Sequence, residues 1–306
     1  MKVATNQNFA ELTRLLTDQS SEVSKLQAKL STGEKNIRPS DDSSAAIKVL
    51  NLNSLMSQQE VQKNNLENLD SRLVQEESIV ESMREMLVRI QELTIMGAND
   101  TYSAEDRQIM AAEIRGYNAQ ILSLANSQMA DGSYLFAGAK TGSPPFVHND
   151  DHSVSYMGDA TRLRIKVDGG QELEINTTGY ELFSGGSNTR NSTLDATQAF
   201  KMLDSLAAAL EDSDQALISS YSDEVESIRT NVELAATKIG VRRNVIEIKL
   251  GILEEETVAL TSLLSEQKDL DYTQAITELS SRMLALEAAQ SAMAKISQLS
   301  LFNYLR

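Results

Sequence analysis

The sequence predicts a mainly α protein: an elongated antiparallel helical bundle or coiled coil formed by both chain ends, with a small β-rich domain inserted between them. Three observations predict it. Heptad-spaced stripes lie near both ends, at Leu12, Leu16, Gln19, Val23, Leu26 and Leu30 and at Ile276, Leu279, Met283, Leu286, Gln290 and Met293. Such alternating steps of three and four keep one narrow apolar stripe along a helix and require a partner helix. The 3 prolines and 14 glycines fall mostly between Gly132 and Gly186, which leaves the flanking segments with few helix breakers. In the middle the period drops to two.

The first helix ends at Ser31-Thr32-Gly33, and Pro39-Ser40-Asp41-Asp42 restarts the chain, with Ser40 as the expected N-cap and the aspartates facing the positive helix end. From about Ser43 to Met96, Leu66, Leu69, Leu73, Val80, Met83, Leu87, Ile90 and Thr94 hold the same rhythm, interrupted by Glu76. A helix of that span is about 80 Å long at 1.5 Å per residue. A third helix is expected over Ser103 to Gln128, with Ile109, Ile114, Tyr117, Ile121 and Leu124 on one side. A fourth, about Ala216 to Gln267, carries Tyr221, Val225, Ile228, Val232, Ala235, Ile239, Ile246, Leu253 and Leu260, with Arg242 and Lys249 on the same seam. Antiparallel packing of these three would bury their stripes together.

Between them, Arg162 to Val167 alternates polar and apolar, Asp168-Gly169-Gly170 supplies a turn, and Gln171 to Ile175 resumes the alternation, the pattern of a β-hairpin. Ser153 to Tyr156 reads as a further strand. Ser184 to Asn188 reads as an exposed loop, with helix resuming near Ser192 or Thr193. The expected domains are 1–40 with 272–306 as a terminal coiled coil, 41–131 with 192–271 as a long-helix bundle, and 132–191 as the β-rich outer domain.

A chain of 306 residues that is 41% apolar is long enough for two or three domains. It has no cysteine, which excludes disulfides, thiolate metal sites and cysteine nucleophiles but leaves the redox compartment open. Met1 to Ala10 lacks the apolar run of a secretory signal and no stretch approaches a membrane span, which alone predicts a soluble cytosolic protein. The net charge of −16 argues against nucleic acid or an anionic membrane as partner. Residues 1–40 carry +2 and 272–306 carry +1, leaving −19 on residues 41–271. Nearly neutral ends can pack against copies of themselves.

His148-Asn149-Asp150-Asp151-His152 is the local cluster that could ligate a metal, but the two imidazoles align at i, i+4 only on a helix, and the prolines and aspartates make this a solvated turn. Gly132 to Gly138 lacks the lysine and glycine spacing of a phosphate loop and reads as a junction whose Tyr134, Leu135 and Phe136 pack on the bundle end. The 11 methionines are core fillers along the stripes, and Glu254-Glu255-Glu256 is a solvated helix face. No nucleophile, metal set or nucleotide motif emerges, so the expectation is a non-enzyme without catalytic residues, metal or cofactor.

Leu30 to Asp42, continuing to Ala45-Ala46, Arg89 to Leu93 with Ala98-Asn99, and Asp269-Leu270-Asp271-Tyr272 resemble the bacterial flagellin family at both ends of the helical chain. Gly132-Ser-Tyr-Leu-Phe-Ala-Gly138 with Pro145-Phe146, and the ending Leu299 to Arg306, are similar to its hook-filament junction members. The middle domain departs from either pattern. The resemblance implies a flagellin-like fold and a structural subunit joining hook to filament, with a filament flagellin as the alternative and a cytosolic coiled-coil adaptor as a reading of another class. It further implies export through the flagellar type III channel without a cleavable signal, an extracellular location, and terminal segments that are disordered before assembly. The implied partners are copies of the chain, a second junction protein, flagellin, and an export chaperone at the carboxyl-terminal region. The expected assembly interface comprises Leu12, Leu16, Val23, Leu26, Leu30, Ile276, Leu279, Met283, Leu286, Met293, Leu301 and Phe302.

Overall fold

The computed structural model describes residues 2–149, 153–168, 171–184 and 196–304. Helix α1 spans Lys2–Thr32, α2 Ser43–Gly97 and α3 Ala104–Ala125. Strands β1 (Phe146–His148), β2 (Val154–Tyr156), β3 (Arg164–Asp168) and β4 (Gln171–Glu174) follow, then α4 (Gly179–Phe183), α5 (Gln198–Glu211), α6 (Gln215–Lys268) and α7 (Tyr272–Tyr304). These elements divide into two compact units, Gln62–Ile252 and Met1–Val61 with Leu253–Arg306.

The core lies in the Gln62–Ile252 unit. The α2 stripe from Leu66 to Thr94 is buried throughout, Glu76 included, so the interruption seen in sequence is a charged member of the core. Val225, Ile228, Val232, Ala235, Ile239 and Ile246 of α6 are buried as expected, with Arg242 among them. The two helices run antiparallel here, since Gln91 Nε2 donates to Glu226 Oε2 at 2.6 Å while Arg243 bridges Asp70 at 3.1 Å and Glu77 at 2.6 Å.

Ser103 and Asp106 close a reciprocal capping box on α3, which fixes the helix start. Its buried face is Arg107, Met110, Ala111, Ile114, Asn118, Ile121, Leu122 and Ala125. Ile109, expected on that face, is exposed instead, because α3 turns toward α5, a helix absent from the expected three-helix arrangement. Asn118 Nδ2 donates to Phe200 O at 3.2 Å and to Asp204 Oδ1 at 2.9 Å, and Arg115 pairs with Glu211. The expected restart near Ser192 or Thr193 and the loop after Ser184 lie outside the described residues.

Among the described residues the strands form two separate antiparallel pairs, the expected hairpin as β3–β4 and the further strand as β2 beside β1. Phe146 pairs with Tyr156 in β1–β2, and Arg164 with Glu174 in β3–β4, with a register shift between Lys166 and Asp168. Phe146 carries an aromatic cluster, with ring centroids 4.9 Å from Tyr156, 5.5 Å from Phe183 and 5.2 Å from Phe200. Asn126, just after α3, seats β1: its Nδ2 donates to Phe146 O at 2.8 Å and its Oδ1 accepts Phe146 N–H at 3.0 Å. Leu135 and Phe136 are buried as expected, whereas Tyr134 is half-buried. Gly138 follows at φ 71°, where an added Cβ would stand 2.2 Å from Asp159 Oδ1. His148 is exposed at the end of β1, while Asp150, Asp151 and His152 lie outside the described residues.

Candidate assembly interface

The terminal helices meet at a short backbone junction. Gly33 ends α1 at φ 73°, and an added Cβ there would come within 2.9 Å of the Tyr272 hydroxyl. Lys35 N–H donates to Lys268 O at 2.8 Å and Leu270 N–H to Gly33 O at 2.9 Å. Lys268 Nζ also lies 3.2 Å from Glu34 Oε1. Asp271 caps α7, its Oδ1 accepting the Gln274 N–H at 3.1 Å. At the other restart Asp42 does the same for α2, accepting the Ala45 N–H at 2.9 Å; the cap is therefore Asp42 and not Ser40, two residues closer to the first helical turn.

From this junction α1 and α7 run antiparallel along a shared seam. On α1 it follows Leu12, Leu16, Gln19, Val23, Leu26 and Leu30. On α7 it follows Ala275, Leu279, Arg282, Leu286, Ala289 and Met293. Val23, Leu26 and Ala275 are buried and the rest half-buried. Ile276, Met283 and Gln290 stand one position off this seam; Ile276 is 53% and Met283 49% exposed. Small Ala275 and Ala289 and the flexible Arg282 occupy the inner positions, which lets the helices approach while Arg282 extends outward. Arg282 donates to Glu278 Oε1 at 2.9 Å and 3.0 Å. The Glu22 carboxyl is held below its usual range first by Lys25 and, less strongly, by Arg282 across the seam. Gln19 Oε1 is buried on the seam without a hydrogen-bond partner. Leu301 and Phe302 fall in the last turns of α7, and their side chains lie outside the described residues.

A second narrow seam in the same unit pairs the start of α2, at Ala45, Val49, Leu52, Met56 and Gln59, with the end of α6, at Leu253, Thr257, Leu260 and Leu264. Gln59 Nε2 donates to Glu256 Oε2 at 2.7 Å. Sequence reasoning gave this stretch of α2 no interface role, although its apolar residues recur with the heptad step. Ile47, Leu50, Leu55, Val61, Val258, Leu263 and Leu284 are exposed beside the seams, Leu50 by 68%. Among the described residues of this unit, the buried apolar side chains are Val23, Leu26, Ala45, Leu253 and Ala275 alone. The hydroxyls between the apolar positions bond back to their own helices, as Thr17 Oγ1 does to Thr13 O at 2.9 Å and Thr277 Oγ1 to Thr273 O at 2.8 Å. That back-bonding meets the donors of these hydroxyls within their own helices, which suits close approach of another helix.

Among the described residues no group of three or more His, Asp or Glu could hold a metal ion, and no helix is long and apolar enough to cross a membrane. What the arrangement offers is helix packing.

Residues 3–141 match the bacterial flagellin N-terminal helical region. The chain is similar to flagellar hook-associated protein 3 of Escherichia coli, 26% identical over 317 residues that cover 99% of each protein. It is also similar to the flagellar filament 30.7 kDa core protein of Treponema maltophilum, 25% identical over 86% of this chain and 87% of that one. A solved structure described as a flagellar hook-associated protein of Vibrio parahaemolyticus superposes with a TM-score of 0.67 at 25% identity, covering 75% of this chain and 100% of the other. With that helical region at its start and a likeness to hook-associated protein 3 along its length, the chain is similar to proteins of the bacterial flagellin family.

Proposed function

We propose that the chain is a structural subunit of the flagellum that joins hook to filament and performs no catalysis. The observation that carries this reading is the unfinished core of the Met1–Val61 and Leu253–Arg306 unit, where two-helix seams leave Leu50, Ile276, Met283 and Leu284 exposed. A seam of that kind buries little by itself and gains stability when further helices cover it. Full-length similarity to hook-associated protein 3 supports the junction role.

In this reading residues 1–40 with 272–306 form the assembly domain, 41–131 with 192–271 the supporting bundle and 132–191 the outer face. The terminal segments order on assembly with neighbouring copies, with a second junction protein on one side and flagellin on the other. The chain leaves the cell through the flagellar export channel, escorted by a chaperone at its carboxyl-terminal region, and resides outside the cell. Similarity to a filament core protein favours a second reading, a filament subunit.

The test mixes purified protein with isolated hooks, sediments them, and follows bound against added protein. Saturation at a short terminal layer is the expected result. Continued growth into filaments would establish the second reading, and no binding under conditions where a flagellin assembles would return the chain to the adaptor class.

A further inference from the structure

Glu76 stands in the apolar stripe of α2 between Leu73 and Val80, and it is 0% exposed. Its Oε1 accepts the backbone N–H of Thr177 at 2.8 Å, while its Oε2 is buried without a partner. Charged groups surround it from several elements. On α2 itself Arg72, one turn earlier, has Nε and Nη2 buried with no acceptor. From α6, Arg242 gives Nη1 to Thr177 Oγ1 at 3.0 Å and leaves Nη2 3.9 Å from Glu174 Oε2 of β4. After α3, the carboxylate of Asp131 lies within electrostatic reach of Arg72.

Thr177 is therefore held at its N–H by α2 and at its hydroxyl by α6. It belongs to a buried linker with structure on both sides. Asn176 Oδ1 accepts the Leu163 N–H at 2.8 Å and its Nδ2 donates to Thr161 O at 3.0 Å, which ties the approach to the β3–β4 hairpin. Thr178 caps α4, its Oγ1 accepting the Glu181 N–H at 3.3 Å.

We propose that Glu76 is a proton-operated clasp on the Asn176–Thr178 linker: neutral, its carboxyl holds the Thr177 N–H; ionised, it turns to the empty donors of Arg72 and releases the linker. The i−4 spacing puts Arg72 and Glu76 on one face of α2, within side-chain reach. A carboxylate gains more from the fork of a guanidinium than from one neutral N–H. In the observed arrangement an ionised Glu76 would leave a charged oxygen buried and unpaired, which the neutral acid avoids. Burial pushes this carboxyl up to about 7, against the Thr177 hydrogen bond and the two arginines, so the exchange of partners falls near neutral pH.

The test is hydrogen exchange at the Thr177 amide of the full-length subunit between pH 6 and 8.5, corrected for base-catalysed intrinsic exchange, together with the carboxyl resonance of 13C-labelled Glu76. The expected result is a loss of Thr177 protection of about tenfold as pH rises, coincident with the carboxyl titration. Glu76→Gln stays neutral and keeps an oxygen for Thr177, so the loss disappears. Arg72→Met removes the second partner and moves the loss to higher pH. Protection that is flat with pH in the unaltered chain overturns the clasp, as does a carboxyl titration with no change at Thr177 or a loss that Glu76→Gln retains. The measurements on the unaltered chain decide the matter even where a variant fails to fold.

Discussion

Replacing Leu286 with aspartate separates assembly from folding. Leu286 is half-buried on the α7 side of the terminal seam. The approach of Gly33 to Tyr272 and of Glu22 to Arg282 sets a register that places Gln19 opposite it. Full burial of a leucine is worth about 2 kcal/mol, so losing half of it costs about 1 kcal/mol in the free subunit, where the helices can part and hydrate the new carboxylate. In an assembled layer the seam is covered, and the charge would lie beside a Gln19 Oε1 that already lacks a partner. An unpaired buried carboxylate there costs several kcal/mol per subunit. Since about 1.4 kcal/mol is tenfold in an equilibrium constant, incorporation onto isolated hooks should fall more than a hundredfold. Far-ultraviolet circular dichroism and the main urea transition should stay near the parent, because the substitution lies outside the Gln62–Ile252 core. Equal sedimentation of variant and parent with hooks would refute the reasoning.

Asp271→Ala removes the side-chain acceptor for the Gln274 N–H; it should cost about 1 kcal/mol and speed amide exchange in the first turn of α7. Gly138→Ala forces a side chain onto φ 71° and a Cβ to 2.2 Å from Asp159 Oδ1; a loss of about 1–3 kcal/mol should appear in urea, with faster proteolysis around Asp159. Phe200→Ala takes a ring out of the cluster with Phe146 and Phe183, and chemical denaturation should register about 3–5 kcal/mol. Glu76 carries a carboxyl raised from 4.5 to about 7. The folded state therefore binds more protons than the unfolded one in that window, and stability should fall by at most about 3 kcal/mol as pH rises through it. Glu76→Gln should flatten that dependence in urea midpoints taken at pH 5 and pH 8.

The long helices were legible because their stripes repeat over many turns: Leu66 to Thr94 and Val225 to Ile246 occupy the core as their spacing required. The terminal seam was legible on α1, where every inward position but Gln19 is a large aliphatic residue. On α7 the same rule selects Ile276 and Met283, yet the helix turns Ala275, Arg282 and Ala289 inward. Hydrophobic size points to the flank of the two-helix seam and not to its inner positions, where close approach rewards small side chains. A helix following Ser192 or Thr193 was legible, but the place of α5 against α3 was not, because the spacing of Phe200, Leu203, Leu206, Ala207 and Leu210 does not name the helix they pack on. The role of Glu76 was hidden for another reason. The stripe marks Glu76 as an interruption at an inward position, but its partner, Thr177, lies 101 residues away, and nothing in the local pattern names it.

Helices α2 and α6 keep one heptad rhythm through both compact units, but the outcome of that rhythm differs. Within Gln62–Ile252, the unit that also holds α3, α5 and the hairpins, the stripe is buried. Before Val61 and after Leu253 the same step leaves Val49, Leu52, Met56 and Leu260 half-buried and Leu50, Leu55 and Val258 exposed. Propensity and spacing are alike in the two stretches, so the difference lies in the number of covering elements. A helix pair that holds its rhythm without a full cover has the pattern of a coiled coil awaiting further strands. On the proposed function, helices from other copies of the chain, bearing the same seams, are the cover. Covering those flanks with copies should therefore raise the stability of the Met1–Val61 and Leu253–Arg306 unit more than that of the core, a difference that amide exchange in free and hook-bound subunits measures directly.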